Sequence, residues 1–111
     1  MIMCIVMNLN CNIEKLEIWK KAMGLVKHVY LIVSELPKNE KFGLSSQIKR
    51  CAVSIPSNIA EGAGRNSNKE FIQFLSIAHG SSYELRTQLL LTIELNLINK
   101  IKITTILDQI T

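Results

Sequence analysis

Few side chains in this sequence are of the kinds that carry covalent chemistry. His28 and His79 are its only histidines, and neither stands in the Glu-x-x-His spacing by which helical bundles hold paired metal ions. A surface or interface histidine is the default reading for each. Cys4, Cys11 and Cys51 are odd in number and fit no Cys-x-x-Cys pattern. With no secretory signal, they read as reduced thiols in a cytoplasmic setting, behaving as small apolar residues. Gly62-Ala63-Gly64 lacks the further glycine, the lysine and the preceding strand of a phosphate loop, so a helix-ending turn is expected there. No nucleophile and base stand out. The expectation is a protein that is not an enzyme, with no catalytic residue, no metal ligand and no cofactor.

Four other polar residues are better placed. Ser54, Asn58 and Glu61 follow one another at steps of four and three, on one flank of an expected helix. Glu84 lies one turn beyond the small Gly80-Ser81 segment of another. They could form a ligand or partner site, or a hydrogen-bond network fixing how two helices pair. The network is the favoured reading, because half-buried polar groups must be satisfied and can specify pairing.

Cations are the other candidate machinery. Thirteen Lys and Arg against nine Asp and Glu give a net charge of +4, which permits nucleic-acid contact without demanding it. The candidates are Lys20, Lys21 and Lys27 on a first helix, with Lys49, Arg50, Arg65 and Lys69 on a second helix and the turn after it. A solvated face is the usual meaning of such charges. Repeated across identical subunits they would suit phosphate, with release of counterions at each contact. Aromatics make up 5% of the chain and read as core, so base stacking is not expected. Binding to RNA or DNA would then be weakly sequence-specific and sensitive to salt.

The elements that must position these residues read as helices. Leu16, Trp19, Met23, Val26, Tyr30 and Val33 recur at steps of three and four, predicting a helix from Ile13 to about Leu36 with Asn12 as N-cap. Pro37 and the polar run after it end that helix. A second helix starts near Gly43, carries Leu44, Ile48, Cys51 or Ala52, Ile55 and Ile59 on one face, and closes at Gly62 and Gly64 in a left-handed turn. Pro56 sits inside it, removing a backbone bond and crowding the Ala52 carbonyl at a cost of about 3 kcal/mol. Close packing of the small residues around Pro56 against Ala78 to Ser82 is expected to compensate. Ser67 and Glu70 have capping-box form and open a third helix from about Asn68 to Leu97, whose Gly80 costs about 1 kcal/mol relative to alanine. Asn99 caps a short fourth helix over Lys100 to Thr111, bearing Ile103, Leu107 and Ile110; a frayed or extended tail is the alternative there, since β-branched residues are poor helix formers. Residues 1–12 are expected to be a disordered extension, their apolar start being too short to span a bilayer, and 13–111 a single domain. Four helices with short links predict an all-α, antiparallel up-down-up-down four-helix bundle with a short fourth helix.

At this point the motifs support a resemblance. Phe42 to Gly62 (FGLSSQIKRCAVSIPSNIAEG), continued through Gly64 to Ser67, Glu70-Phe71, Phe74 to Ala78, Gly80-Ser81 and Glu84, closely resembles the four-helix-bundle family of 23S rRNA intervening-sequence proteins. Leu16 to Met23 looks like that family's opening helix, and the likeness covers about Ile13 to Leu107. The resemblance implies a bacterial, cytoplasmic protein with no enzymatic activity and no membrane association. It extends to the accessory protein of diversity-generating retroelements, and so implies a homo-oligomeric ring of five bundles, with RNA or DNA and a reverse transcriptase or other protein as candidate partners. The family's fourth helix usually runs longer than the one here, a departure that bears on ring assembly. The leading expectation is an oligomeric scaffold that meets nucleic acid, or a protein that processes it, through basic patches. The alternative is a protein-interaction module with no nucleic-acid binding.

Overall fold

The structure is a computed structural model that describes residues 13–40 and 42–110. The expectations placed on residues 1–12 lie outside the described residues. Four α-helices follow in order: α1 (Glu17–Val33), α2 (Leu44–Ala63), α3 (Asn68–Glu94) and α4 (Lys100–Ile110). Single 3-10 turns at Ile13–Lys15 and Lys38–Glu40 precede α1 and α2. Among the described residues there is no strand.

The core joins all four helices. α2 and α3 form the most extensive pairing, α1 packs on α2, and α4 fits against both α1 and α3. On α2 the expected stripe is buried: Ile48, Cys51, Ala52, Ile55 and Ile59. On α1 the buried stripe is Ala22, Leu25, Val29, Ile32 and Val33, continued by Leu36, whereas Met23 and Tyr30 are exposed. The predicted stripe is therefore rotated from the real one. This helix has apolar residues on most of its circumference, so two stripes satisfy the three-and-four rule, and packing against α2 and α4 selects the one through Leu25 and Ile32.

Helix ends depart from expectation in two places. α1 starts at Glu17, with Leu16 in extended backbone at the cap and no side-chain cap bond. The cap expected at Asn12 lies outside the described residues. α2 ends at Gly64 in right-handed backbone, and no described glycine has a positive φ. Gly62 serves close approach instead: an added Cβ would stand 2.7 Å from the Phe74 Cβ and 3.2 Å from the Phe71 carbonyl oxygen. Gly80, expected at a tight contact, has open space around it.

The remaining caps follow their residues. Ser67 Oγ accepts from the Glu70 amide at 3.1 Å, closing the start of α3. Asn96 adopts left-handed backbone at φ 56° and ends α3 two residues past Glu94. The Leu97 amide then reaches the Thr92 carbonyl at 2.8 Å and the Asn96 amide reaches Ile93 at 2.9 Å, a Schellman closure with Asn in glycine's usual place. Asn99 Oδ1 accepts from the Ile101 amide at 2.8 Å and opens α4. That helix is formed, as expected, and buries Ile103 and Ile106 completely. Leu107 and Ile110 pack partly against the core, so the buried line runs through Ile106. Two exposed contacts tie α4 to α1, Lys102 with Glu35 and His28 with Gln109.

Candidate functional site

The α2–α3 seam carries the polar residues that stand out in the sequence. Around buried Pro56, the Ser54 hydroxyl donates to the Cys51 carbonyl at 2.6 Å, and Asn58 Nδ2 donates to the Ser54 carbonyl at 2.7 Å. These local bonds brace a helix that proline deprives of one backbone donor. Cys51 Sγ donates across the seam to the Ser81 carbonyl at 3.1 Å. Burial, and secondarily the charge of Glu84, push the Cys51 thiol up to about 11, so the thiol keeps its proton at neutral pH.

Ser54, Asn58 and Glu84 are brought together, in a cleft of about 600 Å³ between α2 and α3. Gln47, Arg50, Ser81 and Gln88 line it with them. Gln88 Nε2 donates to Glu84 Oε1 at 3.3 Å. Its own Oε1 is buried without a hydrogen-bond partner among the described residues, a cost of about 1–3 kcal/mol. Glu61 is not in this cleft. It faces out and pairs with Arg65 at 2.9 Å. Gln88 was not foreseen, because a glutamine inside a long helical run carries no signal of burial; only its four-residue step from Glu84 connects the two.

The seven cations separate into distinct surroundings. Lys20 and Lys27, seven residues apart, share the outer face of α1. Lys20 meets Glu17 at 3.5 Å, with both side chains largely exposed, an interaction of little energetic weight. Tyr30 follows Lys27 by three residues, and from α2 Lys49 places its Nζ 5.1 Å from the centre of the Tyr30 ring, within cation–π range. The Lys49–Tyr30 contact thus bridges α1 and α2, one turn from Lys27. Lys21 is at the edge of a second, apolar groove, Arg50 is in the polar cleft, and Lys69 is exposed in the first turn of α3. Arg65 lies 4.9 Å from the Phe74 ring centre.

The apolar groove, of about 390 Å³, begins where α4 stops. Gln109 and Ile110 form one end of it, and Ile18, Leu25, Ile55, Ile59, Leu75 and Ala78 line its length. His79 touches the same groove and stacks edge-on with Tyr83 at 4.9 Å; His28 bonds Gln109. Among the described residues, no group of three or more His, Cys, Asp or Glu could hold a metal ion. No helix among them is long and apolar enough to cross a membrane.

Comparison with known families decides the relationship. Residues 14–111 match the family described as 23S rRNA-intervening sequence protein. The chain belongs to that family. No curated protein matches it. In this member of the 23S rRNA-intervening sequence proteins, Leu44–Ala63 build α2, and residues 70–84 belong to the half of α3 that faces it. They meet at the polar cleft and at the Gly62–Phe74 contact.

Proposed function

We propose that this protein is a non-enzymatic helical scaffold that contacts nucleic acid, or a protein that processes it, through the basic α1–α2 face. The observation that carries this reading is the Lys49–Tyr30 contact beside Lys27. It groups cations from two helices on one solvent-facing surface, with Lys20 further along α1. Among the described residues the one ion pair made by these three ammonium groups is Lys20–Glu17, and such groups suit phosphate oxygens approached as point charges. Repetition of that face in a homo-oligomer, a ring of five in the image of the retroelement accessory protein, would raise the affinity by multivalency. A cytoplasmic bacterial setting accords with the same picture.

The architecture proposed for this scaffold is the antiparallel up-down-up-down bundle. Support comes from the short links and from paired positions. Cys51 meets Ser81 while Gly62 meets Phe71 and Phe74; Glu35 meets Lys102 while His28 meets Gln109. Along each pair of helices one number rises as the other falls.

A second reading has its own observation. The apolar groove past Ile110 would suit a protein partner in a module that binds no nucleic acid. Salt separates the two, since charge–phosphate contacts weaken steeply with ionic strength and apolar docking does not. Fluorescence anisotropy with labelled RNA and DNA at low salt tests the proposal. Retention that fades with added salt supports it, and no binding at low salt contradicts it.

A further inference from the structure

We infer that the apolar groove beyond Ile110 docks a short amphipathic helix of a partner protein, with acidic residues beside its apolar stripe. This rests on and deepens the second functional reading, and it uses none of Lys20, Lys27 and Lys49. The groove continues the line of α4. Lys102 stands beside Glu35 of α1, and Gln109 beside His28. Past Gln109 and Ile110 the same line runs along Leu25, Ala22 and Ile18, all of them groove residues. Leu75, Ala78 and Ser82 of α3 form the other wall, over a floor of Ile55 and Ile59 from α2. From Ile18 to Leu25, and from Leu75 to Ser82, is two turns or about 10 Å. Ile18 is 46% exposed, and Leu75 and Ile110 are half-buried. The small side chains of Ala22 and Ala78 leave room between them. A helix of two or three turns laid here meets α1 and α3 as α4 does, and points apolar residues at steps of three and four into the groove.

The rim selects the partner's charge. Lys21 is at the α1 edge and His79 at the α3 edge. An adjoining cavity of about 410 Å³ shares His79, Ser82 and Ile110 with the groove and adds Tyr83 and Arg86. Arg86 is half-buried, and no described carboxylate pairs with its guanidinium. Among the described residues no Asp or Glu lines either cavity. Carboxylates flanking the partner's stripe would therefore meet Arg86 on one side and Lys21 on the other. The end of α4 sets the direction of entry. Its last carbonyls lack partners within the helix and carry partial negative charge. They disfavour a free anion and suit the amides of a helix whose first turn faces Ile110, where acidic side chains are also favoured.

Fluorescence anisotropy of the full chain tests this with a labelled amphipathic peptide of about 16 residues, long enough to hold a helix. The peptide carries a leucine stripe flanked by Glu, and its counterpart has Lys in place of Glu. The Glu peptide is expected to bind about tenfold more tightly or better, and Lys21→Glu with Arg86→Glu to reverse that preference. Ile18→Asp, at an exposed position, is expected to weaken the Glu peptide about tenfold or more. A Lys peptide that binds as well as the Glu peptide overturns the inference and leaves a protein-docking groove standing. No binding of either peptide, or binding unchanged in Ile18→Asp, overturns it outright. Two other occupants have their own signatures. A native mass that falls in Ile18→Asp identifies a second copy of the chain. Peptide binding gained only in Met3→Asp with Val6→Asp identifies the chain's own first residues. Either result overturns the partner helix.

Discussion

Two glycines in this protein have opposite surroundings, and a methyl group distinguishes them. At Gly62 an added Cβ would fall 2.7 Å from Phe74 Cβ and 3.2 Å from a backbone oxygen of α3; neither yields without moving a helix. Gly62→Ala is expected to destabilise by about 1–3 kcal/mol. Gly80 lies in mid-helix with nothing within 4 Å of such a methyl, so Gly80→Ala is expected to stabilise by about 1 kcal/mol. Urea unfolding of the two variants checks both signs. Reading the sequence alone reverses these roles, because a glycine pair at a helix end resembles a left-handed stop and a mid-helix glycine resembles a packing notch. Only the partner's position decides between them. Cys51 gives a second test at this scale. Its thiol is raised from 9.0 to about 11 by burial and then by Glu84. The folded thiol holds its proton where the unfolded one releases it, so its contribution to stability is full below pH 9 and declines as pH climbs toward 11. Between those values the wild-type melting temperature should fall more steeply than that of Cys51→Ala.

The helices themselves were legible to differing degrees. The sequence of α2 predicts its buried face, since Leu44, Ile48, Ile55 and Ile59 are separated by polar residues that leave one apolar stripe. The sequence of α1 predicts a helix with a rotated face, since Ile18, Met23, Tyr30 and Leu31 offer apolar positions that solvent keeps. α4 was the weakest signal, rich in β-branched residues, yet it forms because Ile103 and Ile106 reach the core between α1 and α3. Tertiary burial here outweighs propensity. Ile106→Ala should then destabilise the whole protein by about 2–5 kcal/mol, and in a single cooperative transition. Fraying of α4 alone, with the rest of the chain unfolding at the wild-type midpoint, would show that it is an appendage. The candidate cleft was half legible: Ser54, Asn58 and Glu84 were singled out by spacing, while Gln88 and its orphaned oxygen depend on the depth at which α3 packs against α2.

At the scale of the molecule, family membership and an all-helical fold leave the task to be carried by surfaces. The α1–α2 face carries Lys49 over Tyr30 with Lys27 one turn away and Lys20 further along α1; the α2–α3 cleft mixes Glu84 and Gln88 with Arg50; the groove beyond Ile110 is apolar. These surfaces differ in chemistry, and each responds to a different change of conditions. The proposed role on nucleic acid belongs to the first. Its most direct test is the slope of log affinity against log salt for a labelled RNA or DNA, measured for the wild type and for Lys27→Glu with Lys49→Glu. Loss of two phosphate contacts should reduce that slope by about two and weaken binding across unrelated sequences alike. An unchanged slope and affinity in the double variant would contradict the assignment of the α1–α2 face.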